Sequence, residues 1–148
     1  MIVQVWSNLF QGDWQGAVYV SRNPETPRGK IDWIIYVGQE LPRELSHDSK
    51  VPVIHIPMKD GREDEKKIMM VLSVINAVRL SEENVLVACR AGISRSPVLC
   101  AAYLSWIYGK PLEICLDHVK LHNQSVQPDP QFIRSVHETL ESLKGGDA

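Results

Sequence analysis

Residues 85–108 leave the chain few choices of fold: VLVA, then CRAGISRSP, then an Ala-, Leu- and aromatic-rich run. Four apolar residues, two of them valine, read as a short buried strand, and the apolar run after Pro97 reads as a buried helix. Ser96 is a favoured N-cap and Pro97 a favoured first helical residue, which places the helix start directly after Arg95. A helix N-terminus then points back at Cys89 across the intervening loop.

That arrangement has chemical consequences. Successive backbone N–H groups in a tight loop, together with the positive end of the helix dipole, form a concavity suited to a phosphate-sized anion. The expected phosphate-binding residues are Arg90, Ala91, Gly92, Ile93, Ser94 and Arg95. The same field favours thiolate over thiol at Cys89, with Arg90 and Arg95 adding positive charge. Gly92 lets the loop curl, and the Arg95 guanidinium offers a planar fork for bidentate contact with phosphate oxygens. Arg90 is expected at the solvent or substrate rim, since its backbone N–H serves the loop whatever its side chain does. A free cysteine at a strand end is commonly a small buried hydrophobe. Strand, glycine, arginine, hydroxyl and helix in one register favour the functional reading.

The remaining chain supplies a layered α/β context. Residues 2–6 and 9–12 read as strand and as strand or turn, 13–20 as a short helix, and 21–30 as an exposed loop with a basic side formed by Arg22, Arg28 and Lys30. Residues 31–37 and 51–56 read as strands, with 40–50 as loop or a single turn and His55 as a hydrogen-bonded packing residue. Ile68, Val71, Leu72, Ile75 and Val78 recur at spacings of three and four, giving an amphipathic helix over 63–80. Gly109 closes the helix after the cysteine loop, residues 111–121 and 129–143 form two more, and 144–148 are expected to fray. Strands alternating with helices predict an α/β fold: a mostly parallel central sheet of about four to five strands with helices on both faces, the site lying at the strands' carboxyl ends.

A length of 148 residues, 44% hydrophobic, predicts a single domain over 1–148. With 16 basic against 18 acidic residues, the net charge of -2 provides no overall field for nucleic acid or an anionic membrane. Three cysteines without a secretion signal point to a reducing compartment, so a cytoplasmic monomer is expected. Cys100 and Cys115 read as packing residues on apolar helix faces. His118 and His122 lie four apart on a helix, but no third ligand accompanies them, and no metal or cofactor is expected.

Cys89-Arg90-Ala91-Gly92-Ile93-Ser94-Arg95-Ser96 resembles the signature loop of the dual-specificity subgroup of the protein tyrosine phosphatase superfamily. Ile54-His55-Ile56-Pro57-Met58-Lys59-Asp60 resembles that family's strand and general-acid loop, Ala101-Ala102-Tyr103-Leu104 its following helix, Gln131-Phe132 its final helix, and Val5-Trp6-Ser7-Asn8-Leu9-Phe10-Gln11-Gly12 its opening strand and turn. The chain departs from the pattern twice. Ala88 stands where the family usually has histidine, which bears on how the thiolate is favoured. Asp129, Pro130 and Gln131 stand where it often has asparagine and glycine, which bears on how the loop is buttressed from behind.

The resemblance implies a protein tyrosine phosphatase-like fold and a cysteine-dependent phosphatase. Cys89 is the expected nucleophile, Arg95 the phosphate clamp, Asp60 the general acid and base, and Ser96 the hydroxyl that helps expel the sulfur. From spacing alone Asp60 and Glu63 also read as a capping box, and Asp64 competes for the acid's role from the next helix's first turn. The implied substrate is a phosphorylated protein carrying phosphotyrosine, with phosphoserine and phosphothreonine open. The loop lacks the added lysines of phosphoinositide-directed relatives and does not resemble the RNA-triphosphatase loop. The alternative is a phosphate-binding pseudophosphatase module with little turnover. A rhodanese-like sulfur transferase is disfavoured, because its loop is generally shorter and Asp60 would have no task.

Overall fold

The computed structural model describes residues 1–145. Its elements, in chain order, are β1 (Ile2–Trp6), β2 (Leu9–Gly12), α1 (Trp14–Arg22), β3 (Glu25–Thr26), β4 (Gly29–Lys30), β5 (Trp33–Tyr36), α2 (Arg43–His47), β6 (Val53–His55), α3 (Glu65–Leu80), β7 (Val85–Ala88), α4 (Arg95–Tyr108), α5 (Leu112–His122) and α6 (Pro130–Gly145). A five-stranded sheet runs in the order β1-β2-β7-β5-β6. Only β1 is antiparallel to its neighbour, and β2, β5, β6 and β7 are parallel. β7 is therefore the central strand, and its four residues are all buried.

Alternation along the strands sorts side chains to two faces, since successive residues point to opposite sides of a sheet. Ile35, Val85 and Val87 join one cluster with Ile68, Leu72 and Ile75 of α3, Leu99 of α4, Val119 of α5 and Phe132 of α6. Ile34, Tyr36, Leu86 and Ala88 join a second with Ala17 and Val20 of α1 and Leu45 of α2. Helices thus cover both faces of a mostly parallel sheet, the expected arrangement.

Several boundaries shift for local reasons. α3 starts at Glu65, because the Asp64 carboxylate accepts from the Lys66 amide as N-cap. Asp60 has no capping role: Glu63 instead accepts from the amides of Lys59 and Asp64, tightening the loop before the helix. The basic segment expected as loop holds a two-stranded ribbon, β3 with β4, and its first residues finish α1. The expected loop at 40–50 contains α2.

A further correction concerns α4. Its N-cap is Ser94, not Ser96, so Ser96 and Pro97 lie inside the first turn. Ser94 makes no side-chain capping bond, because its hydroxyl is engaged by Asp60. The expected fraying begins within α6, which runs to Gly145, and the rest of that segment lies outside the described residues.

Burial predicts where the fold is sensitive. Ile35 is 0% exposed on a central strand whereas Ile114 is 59% exposed on α5. Ile35→Ala should lower the unfolding free energy by about 2–5 kcal/mol, and Ile114→Ala should stay within about 0.5 kcal/mol of the parent. Denaturant unfolding followed by circular dichroism measures both, and comparable losses would contradict this assignment of the core.

Candidate active site

Parallel strands bring their carboxyl ends to one edge, where the connections after β2, β5, β6 and β7 converge. Cys89 directly follows β7 and is 1% exposed. Its Sγ accepts from the Ser96 amide at 3.4 Å and lies 3.2 Å from the Ser96 hydroxyl. The sulfur thus takes the place of a side-chain N-cap, accepting from an amide in the first turn of α4.

The loop curls because Gly92 has φ +71°, and a Cβ there would come within 2.9 Å of the Met1 side chain and 3.1 Å of the Asp13 amide nitrogen. Its carbonyls are tied outward. That of Arg90 accepts from the Trp14 amide at 3.2 Å, and that of Ile93 from the Gln127 amide at 2.8 Å. That of Gly92 accepts from the side-chain amides of Gln11 at 3.0 Å and Asn123 at 3.1 Å. Among the described residues the amides of Arg90, Ala91, Gly92, Ile93 and Ser94 donate to no protein acceptor. A row of free donors ahead of a helix N-terminus can accept an anion, and these amides belong to residues expected from the sequence to bind phosphate.

Two further links run from this loop to the segment carrying Asp60. Arg95 Nη1 donates to the Met58 carbonyl at 2.8 Å, and the Ser94 hydroxyl donates to Asp60 Oδ1 at 2.6 Å. Ser94 Oγ also accepts from the Asp129 amide at 3.0 Å, so Asp129, at one of the two departures from the family pattern, braces the loop through its backbone. Asp60 is exposed and held at the mouth, whereas Asp64 is spent on the start of α3. Arg90 stacks over Trp14 with its guanidinium carbon 5.0 Å from the ring centroid. A cleft of about 300 Å³ is lined by Tyr36, Gln39, Glu40, Arg90 and Arg95.

Ser96 has one proton and three neighbours. Its hydroxyl donates to the Gly12 carbonyl at 3.1 Å, accepts from Gln11 Nε2 at 2.9 Å and faces Cys89. A thiol can donate to it, while a thiolate can receive its proton by rotation of the hydroxyl. Gln11 is the hub behind the loop, reaching Gly92 and Ser96, with its own oxygen accepting from Asn123 at 2.9 Å. Sequence reasoning missed both amides as site residues. The signal for Gln11 was a polar side chain in a short strand that is otherwise apolar, which demands buried partners.

The other candidates stand apart. Burial pushes the Cys100 and Cys115 thiols up, as suits packing residues. His118 donates through Nε2 to the Val5 carbonyl at 2.6 Å and meets Trp6 and His122 edge-on. Burial, then His118, then Arg28 holds the His122 imidazolium below its ordinary range. Among the described residues no three potential ligands gather for a metal. No described helix is long and apolar enough to cross a membrane.

Replacing Gln11 by leucine strips partners from Ser96, Gly92 and Asn123 at once. Each keeps another partner, so the cost is that of the lost hydrogen bonds, about 0.5–1.5 kcal/mol each. Gln11→Leu should therefore lower the melting temperature and weaken inorganic phosphate binding together, as read by thermal unfolding with and without phosphate. Unchanged values would remove the hub from the site.

The chain is similar to known proteins in sequence and in fold. The chain is 32% identical over 113 residues to human dual specificity protein phosphatase 15, covering 75% of this chain and 37% of that protein. It is 26% identical over 142 residues to dual specificity protein phosphatase 1 of Arabidopsis thaliana, covering 95% and 72%. Among solved structures, human DUSP28 superposes with a TM-score of 0.79 at 23% identity, over 97% of this chain and 95% of that one. A mouse putative dual specificity phosphatase complexed with zinc tungstate gives 0.81 at 22%, over 99% and 90%. Residues 14–141 match the sequence model of the dual specificity phosphatase catalytic domain, and the chain belongs to that family.

Proposed function

We propose that the chain is a single-domain, cysteine-dependent protein phosphatase that hydrolyses phosphotyrosine, and phosphoserine and phosphothreonine with it, through a phosphocysteine intermediate. One observation carries the reading: the Cys89 sulfur lies at the N-terminus of α4, on the Ser96 amide, and the loop between them has a run of amides that, among the described residues, donate to no protein acceptor.

In the first half-reaction the Cys89 thiolate attacks phosphorus, the bond from phosphorus to the substrate oxygen breaks, and Asp60 gives that oxygen a proton. The loop amides and the Arg95 donors not engaged by Met58 hold the equatorial oxygens. In the second, Asp60 takes a proton from water as its oxygen attacks phosphorus. The sulfur–phosphorus bond breaks, and the Ser96 hydroxyl turns to donate to the departing thiolate. Inorganic phosphate leaves and no metal is called for. The Ser94 bond to Oδ1 of Asp60 supports its position, because it ties the carboxyl group to the loop that follows Cys89.

Cys89→Ser should abolish hydrolysis of a small aryl phosphate, measured in excess chelator, while phosphate binding persists on the backbone cradle. Wild-type protein that binds phosphate without turnover would favour the pseudophosphatase reading instead. Asp60→Ala should slow a substrate with a poor leaving group by roughly 10²–10⁴-fold and one with a good leaving group far less. Equal losses for both would remove the acid's role from Asp60.

A further inference from the structure

Tyr36 ends β5, is 0% exposed, and is paired across the sheet with Ala88, the residue before the nucleophile. Ala88 is itself flanked by Gly12 on its other side, so neither neighbour on β7 or β2 carries a side chain larger than a methyl group at this level. The Tyr36 ring end lies across Gly38, where a Cβ would stand 2.6 Å from the ring and 2.7 Å from the hydroxyl, so only glycine admits the approach. The His55 ring stands 6.0 Å away, centroid to centroid, with its Nε2 donating to the Gly38 carbonyl.

Among the described residues the Tyr36 hydroxyl is the one buried side-chain oxygen or nitrogen without a hydrogen-bond partner. Such a group costs free energy that a phenylalanine would not, so the hydroxyl calls for a partner beyond the protein's own groups. The residue helps to wall the cleft shared by Gln39, Glu40, Arg90 and Arg95. Burial, with the Cys89 sulfur adding to it, raises the phenol above its ordinary range against the opposing pull of Arg90 and Arg95. At neutral pH it is therefore a neutral donor. A partner for it must bring an acceptor, and two guanidinium groups on the same wall select an anionic one.

We propose that the Tyr36 hydroxyl, covered in this structure, is uncovered by a small shift of its neighbours at the cleft when an anion binds, and then donates to an oxygen of the phosphoryl group that Arg95 and the loop amides hold. The inference rests on the anion-binding reading of the loop and is independent of whether the bound phosphate is turned over. It assigns to β5 a contact that the signature loop itself does not supply, and it explains a tyrosine opposite Ala88 where phenylalanine would pack as well.

Tyr36→Phe keeps the ring and removes the donor. The experiment titrates inorganic phosphate, and separately tungstate, into wild-type and Tyr36→Phe protein, repeats the titration in the Cys89→Ser background, and records the melting temperature of the unliganded proteins. The expected result is phosphate binding weakened roughly tenfold or more, a KM for aryl phosphate raised with it, and a melting temperature unchanged or higher. Equal phosphate affinity in both proteins overturns the inference, as does a loss of affinity accompanied by a lower melting temperature, which is the mark of packing alone. A wild-type protein that binds phosphate through Tyr36 but turns over no aryl phosphate upholds the inference and rejects the proposed catalysis. A wild-type protein that binds neither anion rejects both.

Discussion

A sulfur atom stands where an oxygen usually caps a helix. Helices leave their first amides without intrahelical partners, and a short polar side chain normally accepts from one of them. In α4 that acceptor is Cys89 Sγ, reached from the amide of Ser96, while the nominal cap residue Ser94 turns its hydroxyl to Asp60. The end of the helix is thereby left to whatever negative charge the loop can hold. Cys89, the loop after it and the start of α4 are one structural feature, and the two faces of the sheet serve to present it.

A loop with its amides turned inward must dispose of its carbonyls, and the surrounding elements are arranged around that requirement. Trp14 at the start of α1, Gln11 on β2, Asn123 at the end of α5 and Gln127 beyond it each supply a donor. These donors come from both sheet faces. Ser94 and Arg95 then reach across to the segment carrying Asp60, so Asp60 is positioned by the same loop that holds the sulfur.

The parts legible in the sequence are those decided over a few consecutive residues. Apolar runs located the parallel strands, spacings of three and four located α3, and the order of cysteine, glycine, arginine and hydroxyl located the cradle. The start of α4 was misplaced by two residues because Ser96-Pro97 carries a strong local capping signal. The sulfur seven residues before Ser96, and Asp60, 34 residues from Ser94, decided the matter instead. Gln11 and Asn123 were missed for the same reason: they are 112 residues apart, and neither has a local pattern that names its partner. The 21–30 segment showed its turn residues but not its ribbon, since strands of two residues carry too little alternation to read.

Cys89 and Asp60, the proposed nucleophile and acid, are anchored in parts of the sheet with unequal support. Cys89 leaves the central strand, hydrogen-bonded on both sides, whereas Asp60 follows β6, a three-residue strand at the sheet's edge. Edges open locally at lower free energy than centres. An excursion confined to β6 and the segment after it would carry away Asp60 and leave sulfur, amides and helix terminus in place. On the proposed mechanism such a form would hold phosphate without protonating a leaving alcohol, and the Ser94 hydroxyl bond to Asp60 ties the two parts together.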